Sequence, residues 1–316
     1  MSKIGLVLGG GGVTGAAHQI ATLLAIEAAT GWDAAEADVV IGTSGGAVVS
    51  AMVRGPGLSI ETVVGDSEGI HDYSERLRSI VFRRGWPRHL RSWARHGLLR
   101  GIRHPGLSFA LGGPAPFRVD GIAEWTESDF QGATRWPTRP TVIVAYDLEH
   151  GHRVAFGTEE APDASLADAV AASCAVPLVY QPHLIDGRLY LDGGVASGTS
   201  ADLVLGNPDP LDLVIVVAPM ALPHARPNRH FYEPLIDRAG SAALEEEIER
   251  IAAIWPHCET LVLTPSHHEL EEMRANPMSP DGAIPSFFHT LRSLRSGLAE
   301  PEVWSVLDRH LLRRVA

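Results

Sequence analysis

The sequence predicts an α/β fold, a sheet covered by helices, on three observations. Short apolar runs alternate with longer amphipathic ones along most of the chain. Two early apolar runs end in glycine-rich turns that lead straight into helical segments, Gly10-Gly11-Gly12-Val13-Thr14-Gly15 and Gly42-Thr43-Ser44-Gly45-Gly46. The 316 residues are 45% hydrophobic, enough to bury a large core within one domain. The longest apolar stretch, Leu213 to Leu222, contains Pro219 and is far short of the roughly 20 residues of a membrane span.

Taken in order, Ile4 to Leu8 reads as a buried strand, Thr14 to Ala29 as a helix, Asp38 to Ile41 as a second strand and Ser44 to Val53 as the helix after the serine turn. Thr141 to Ala145 and Arg153 to Phe156 read as further strands, and Ser165 caps a short helix ending near Ala172. Leu184 to Leu191 reads as a hairpin turning at Asp186-Gly187, which delivers Asp192 at a strand end. Leu211 to Val217 and Thr260 to Leu263 complete the strands, separated by a helix around Glu233 to Ile254. Ala283 to Arg314 reads as a helical C-terminal extension, reaching toward residue 316 and broken near Gly297 to Pro301.

The segment from Asp66 to Pro116 mixes arginine, tryptophan, glycine and proline without a clear strand, and reads as a helical insertion or cap over the sheet edge. From Arg76 to Arg103 it carries nine arginines and no acidic residue, whereas the whole chain has net charge −12. That overall charge argues against nucleic acid as a partner. The island, with Trp86, Trp93 and several leucines, suits peripheral contact with an anionic membrane, or else a helix pair neutralised by the acidic body. Two cysteines, Cys174 and Cys258, cannot build a disulfide framework, and the N-terminal sequence has no signal-peptide pattern, so a cytoplasmic setting is expected.

Three motifs carry chemistry. The first glycine run follows a strand and precedes a helix, so its backbone N–H groups can approach an anion. It also satisfies the dinucleotide fingerprint at Gly10, Gly12 and Gly15. The second strand, however, ends Val39-Val40-Ile41-Gly42 without the acid that would hold a ribose, and the only lysine, Lys3, precedes the glycines. A nucleotide-binding module is thus the weaker alternative. Gly42-x-Ser44-x-Gly46 has the context of a nucleophile elbow, with glycines where strand and helix would otherwise collide. Asp192-Gly193-Gly194 sits where a strand ends and could place a carboxylate near the serine, or could be an ordinary turn. Histidines after it, His224, His230, His257, His267, His268 and His289, are the other candidate bases, though none lies in a distinctive motif. His267-His268-Glu269 has the spacing of a polar helix start rather than a ligand set, so neither metal nor cofactor is expected.

Gly-Gly-Gly-x-x-Gly, then Gly-x-Ser-x-Gly, then Asp-Gly-Gly, with Ala171-Ala172-Ser173-Cys174-Ala175-Val176-Pro177-Leu178 leading to the last, resemble the patatin-like phospholipases over about Ile4 to Ser197. The resemblance implies a three-layer α/β/α sandwich with a largely parallel sheet and a serine lipid acyl hydrolase, a phospholipase A or carboxylester hydrolase working without histidine or cofactor. Ser44 would be the nucleophile, Asp192 the base and the N–H groups of Gly10, Gly11 and Gly12 the oxyanion hole. Gly15, Gly42, Gly46, Gly193 and Gly194 would support these turns. The same acyl-serine intermediate permits an acyltransferase, although malonyl-type transferases place a histidine beside the serine where this chain has Thr43. One departure from the family pattern is Thr14, where Arg or Lys is frequent. His18 is expected to pack in a polar layer rather than to catalyse.

Overall fold

The computed structural model describes residues 2–60, 67–86, 115–129, 136–221 and 233–312. Most of the arginine-rich segment, residues 87–114, lies outside them, as do His224 and His230.

Strand β1 (Ile4–Leu8) is buried along its length and feeds through the glycine turn into α1 (Gly12–Thr30). Gly31 ends that helix at φ 75°, a left-handed cap that a side chain would strain. The same strand–turn–helix arrangement recurs as β2 (Val39–Thr43) and α2 (Gly45–Arg54). Residues 67–86 contribute α3 (Ile70–Val81), then β3 (Arg83–Arg84), which pairs antiparallel with β4 (Phe117–Arg118). This small ribbon corrects the expectation of a segment without strands. Two-residue strands carry no periodicity, so local pattern could not reveal them. Helix α4 (Asp120–Asp129) follows.

Next come β5 (Thr141–Asp147), β6 (His152–Phe156) and α5 (Leu166–Ser173), whose N-cap Ser165 accepts from the Asp168 amide at 3.0 Å. The predicted hairpin is β7 (His183–Ile185) and β8 (Arg188–Asp192), turning through Asp186 at φ 45° and Gly187 at φ 79°. Two successive positive φ values match strand twist in a two-residue turn, which is why Asp-Gly marks it. Strand β9 (Leu213–Val217), α6 (Glu233–Ile254) and β10 (Glu259–Leu263) complete the sheet region. The C-terminal helices are α7 (His267–Ala275), opened by a capping box between Ser266 and Glu269, α8 (Ala283–Gly297) and α9 (Pro301–His310).

The sheet order is β10-β9-β1-β2-β5-β8-β7, with β6 also paired to β5. The pairs from β10 to β5 along this order are parallel, whereas β6, β7 and β8 join antiparallel. Side chains alternate between the two faces: Ile4, Leu6 and Leu8 join one apolar cluster with α1, α2 and α5, and Val7 joins the other with Leu244 and Ile251 of α6. Helices therefore cover both faces of a mostly parallel sheet, a three-layer α/β/α arrangement. Each fully buried side chain of the sheet, Leu6 or Ile215 for example, contributes about 1.5–3 kcal/mol of apolar transfer energy.

Candidate active site

Register places the two candidate catalytic side chains together. Val144 of β5 faces Thr43 of β2 on one edge and Ala155 of β6 on the other. One residue further along β5, Ala145 still faces β6 through Val154, but its other edge is taken by Asp192 of β8. Strand β8 thus takes over the edge of β5 that β2 leaves, and Asp192 arrives where the chain departs from Thr43 into Ser44. Antiparallel entry is what brings a strand's last residue to the carboxyl ends of its parallel neighbours.

Ser44 sits on a strained turn, φ 55° and ψ −123°, between β2 and α2. A non-glycine residue there costs on the order of 1–3 kcal/mol and persists only where its surroundings hold it. Several contacts do so. The Ser44 amide donates to Ser173 Oγ at 2.8 Å, and that hydroxyl donates onward to the Val144 carbonyl at 2.6 Å. The Ser44 carbonyl accepts from the Ala47 amide at 2.8 Å and from Cys174 Sγ at 3.3 Å. Burial and the nearby Asp192 push the Cys174 thiol well up, so it acts as a neutral donor rather than a nucleophile. Gly42, Gly45 and Gly46 are sites of close approach: a Cβ on Gly45 would lie 2.5 Å from the Gly12 carbonyl oxygen, and one on Gly46 would collide with the Leu8 carbonyl. These glycines let α2 start against β1 and the first glycine turn.

Asp192 is buried, and its Oδ1 accepts from the Gly194 amide at 2.7 Å. Its Oδ2 is buried without a hydrogen bond among the described residues. Burial raises its pKa to about 6, while the Ser44 side chain and the Gly194 amide act in the opposite direction. The Ser44 hydroxyl is therefore near enough to stabilise the carboxylate, and Oδ2 has its accepting capacity in hand. Gly193 packs so closely on the Val144 carbonyl that no side chain would fit.

The glycine turn lies alongside, with Gly10 Cα directed at Ser44 such that a Cβ there would stand 3.4 Å from the serine Cβ. Of the three amides expected to face an oxyanion, one has a partner. The Gly10 N–H donates to the Gly198 carbonyl at 2.7 Å, so it is already engaged and cannot serve a second anion without breaking that bond. Thr14, in place of the frequent cation, is buried. Its amide donates to the Pro277 carbonyl at 3.1 Å, and its hydroxyl reaches the carbonyls of Met273 and Pro277 at 3.4 and 3.5 Å. The segment joining α7 to α8 occupies the space a long basic side chain would need. Gly15 backs onto Pro219, with its amide bonded to the Gly11 carbonyl at 2.9 Å.

From Ser44 an apolar cavity of about 210 Å³ opens between α1, α2, α3, α4 and α8. Its walls include Ala16, Ile20, Val48, Met52, Leu77, Ile80, Trp125, Ile284 and Phe287, and none of the described lining residues carries a charge. Ile60 and Phe288, 59% and 58% exposed, mark its outer end. Helix α8 supplies much of one wall, a role that an amphipathic C-terminal pattern could not announce. His257, His267, His268 and His289 do not line this cavity. His18 is buried with Nδ1 2.9 Å from Thr290 Oγ1, and burial lowers its pKa to about 4. It joins α1 to α8, in keeping with a polar-layer role. In the described part of the arginine-rich segment, Arg78 pairs with Asp281 and Glu75, and Arg83 with Glu124. Among the described residues no group of acidic, histidine or cysteine side chains could hold a metal, and no helix is long and apolar enough to cross a membrane.

A mostly parallel sheet lies between two helical layers, with a serine on a strained strand-to-helix turn above an apolar cavity, an α/β/α arrangement whose serine turn has the form of a nucleophile elbow. The chain belongs to the patatin-like phospholipase family, whose sequence model matches residues 6–205. The family acts on lipids, and membership implies lipid acyl hydrolase activity. The crystal structure of VipD from Legionella pneumophila aligns at a TM-score of 0.34 and 15% identity, covering 93% of this chain and 67% of VipD.

Ser173 lies in the segment that resembles the family, and nothing in its sequence context marks a role for it. Its hydroxyl is the acceptor that satisfies the buried Ser44 amide. Ser173→Ala should destabilise the fold by about 1–3 kcal/mol, the cost of leaving a buried donor unpaired. Urea unfolding of the two proteins checks this. A variant as stable as the wild type would mean that the turn finds another acceptor.

Proposed function

We propose that the protein hydrolyses lipid acyl esters, as a phospholipase A or related carboxylester hydrolase, through a Ser44–Asp192 dyad and an acyl-enzyme. The observation that carries this reading is the strained Ser44 beside a buried carboxylate with a free Oδ2, at the inner end of an apolar cavity. Ser44 Oγ attacks the ester carbonyl as its proton passes to Asp192 Oδ2. The tetrahedral oxyanion then collapses, the ester C–O bond breaks, and Asp192 returns the proton to the departing alcohol. In the second half water takes the place of the alcohol. It loses a proton to Asp192 as it attacks the acyl-serine, and the free acid leaves with Ser44 restored.

The elevated pKa suits a carboxylate that must both take and give a proton near neutrality. With Gly10 engaged, the donors for the oxyanion are the amides of Gly11 and Gly12, joined by that of Gly45 at the start of α2, where helix N–H groups are unpaired and the dipole favours negative charge. The uncharged cavity takes the acyl chain. A carboxylic ester with a long apolar acyl group fits it, and a charged head group belongs outside.

Hydrolysis of a p-nitrophenyl ester series of increasing acyl length by wild type and Ser44→Ala tests this. The wild type should favour long chains over acetate. Ser44→Ala, folded by circular dichroism, should lose on the order of 10⁶ in kcat. A folded Ser44→Ala that retains activity would sink the reading.

A further inference from the structure

Beyond the dyad, a second buried carboxylate reaches the site without touching it. Glu247 of α6 accepts from Ser197 Oγ at 2.5 Å, from Thr199 Oγ1 at 2.7 Å and from the Ala201 amide at 2.8 Å. Ser197 Oγ in turn accepts from the amides of Thr199 and Ser200 at 3.2 and 3.0 Å. Ser200 lies at φ 54°, a left-handed position that a serine holds only under constraint. The 197–201 loop is thus wound around one glutamate, and 7% exposure keeps water from competing for its oxygens.

This loop connects both halves of the site. On one side it continues the turn after Asp192, with the amides of Ala196 and Ser197 donating to the Gly193 carbonyl at 2.9 and 3.2 Å. On the other side the Gly198 carbonyl takes the Gly10 N–H at 2.7 Å, and a Cβ on Gly9 would lie 3.1 Å from that same oxygen. The glycine turn beside Ser44 is therefore seated on a carbonyl whose position the Glu247 bonds determine. Arg153 stands 4.0 Å from Glu247 and grips Asp202 with two bonds of 2.7 and 2.8 Å, so the clasp is anchored to β6 as well.

We propose that Glu247 is a positioning residue for catalysis, holding through Ser197, Thr199 and Gly198 the spacing between the Asp192 turn and the glycine turn. The inference rests on the Ser44–Asp192 reading of the reaction. Donors aimed at a developing oxyanion act only when held in place, and a displacement near 1 Å costs about 10²-fold. The acyl cavity lies across the sheet from α6 and has no lining residue in the clasp, so substrate binding should not follow.

Glu247→Ala, Glu247→Gln and Ser197→Ala/Thr199→Val are compared with wild type on a long-chain p-nitrophenyl ester, with Ser44→Ala in parallel. Glu247→Ala should lose about 10²-fold in kcat with KM within about twofold. Glu247→Gln, which keeps an acceptor for Thr199 and Ala201, should recover most of that loss. If Glu247→Ala does not fold, the Ser197/Thr199 double variant, which retains the carboxylate and its Ala201 bond, should show the same kcat-only loss. A folded Glu247→Ala or double variant with wild-type kcat, or with a loss confined to KM, overturns the proposal. An active Ser44→Ala would instead overturn the dyad reading beneath it.

Discussion

Asp192→Asn should be almost inactive and, at neutral pH, more stable than the wild type. Asparagine keeps an oxygen for the Gly194 amide, but it cannot take a proton from Ser44, and its own N–H₂ would pin the serine hydroxyl as an acceptor. Loss of the acidic member of a serine hydrolase's catalytic set costs on the order of 10⁴ in kcat, and here it would remove the base itself. Stability moves the other way because burial raises the Asp192 pKa from 3.8 to about 6. The native state therefore binds the proton more tightly than the unfolded chain. This favourable contribution is complete below about pH 4 and is lost as pH rises through about 6. At pH 7 a buried carboxylate costs about 3 kcal/mol relative to a neutral group of the same shape. Denaturant unfolding at pH 4 and pH 7.5 should show the two proteins converging at the lower pH and the Asp192→Asn variant ahead at the higher. For wild type, kcat/KM should climb tenfold per pH unit below about 6 and level above it. An inflection at the same pH in a residually active Asp192→Asn would assign the titration to another group.

Gly12→Ala should sharply reduce kcat. Gly12 opens α1 at φ 61°, a conformation that alanine adopts only at a cost of roughly 1–2 kcal/mol. The added Cβ would also stand 2.6 Å from the Pro277 carbonyl oxygen and 3.0 Å from Met278 Sδ. The Pro277 oxygen is backbone, so relief requires the α7–α8 connection or the glycine turn to shift. The Gly12 amide is one of the proposed oxyanion donors, and losing one such donor costs about 10²–10³ in kcat. A kcat loss of that size with the protein still folded is expected. Gly31→Ala is the control: it too has positive φ, at 75°, but meets nothing within 4 Å. It should share the modest stability loss and keep its activity. Equal activity losses in both variants would show that Gly12 matters only for folding.

Much of the fold was legible locally because burial writes its period into the chain. β1, β2, β5 and β9 are largely apolar runs, as strands buried on both faces must be, and Ser165 and Asp186-Gly187 mark a helix start and a hairpin by backbone chemistry alone. The serine turn was legible for the same reason, since glycines on either side of Ser44 are what a strand and helix meeting at such an angle demand. The two-residue pair β3–β4 was not legible, being too short to carry a pattern.

The sequence by itself therefore determined most strands of the main sheet, the helices that follow β1 and β2, and the turns that present Ser44 and Asp192, because those outcomes depend on neighbours a few residues apart. Tertiary structure alone decided that Asp192 meets Ser44, since that follows from β8 succeeding β2 on one edge of β5. It alone decided that the Gly10 amide is committed to Gly198, that α8 walls the cavity and that Glu247 winds the 197–201 loop. Each of these is a pairing between distant segments. A hydrogen-bonding group carries its capacity in the sequence, but its partner is chosen only when the sheet order and the packing of the layers bring one within about 3 Å.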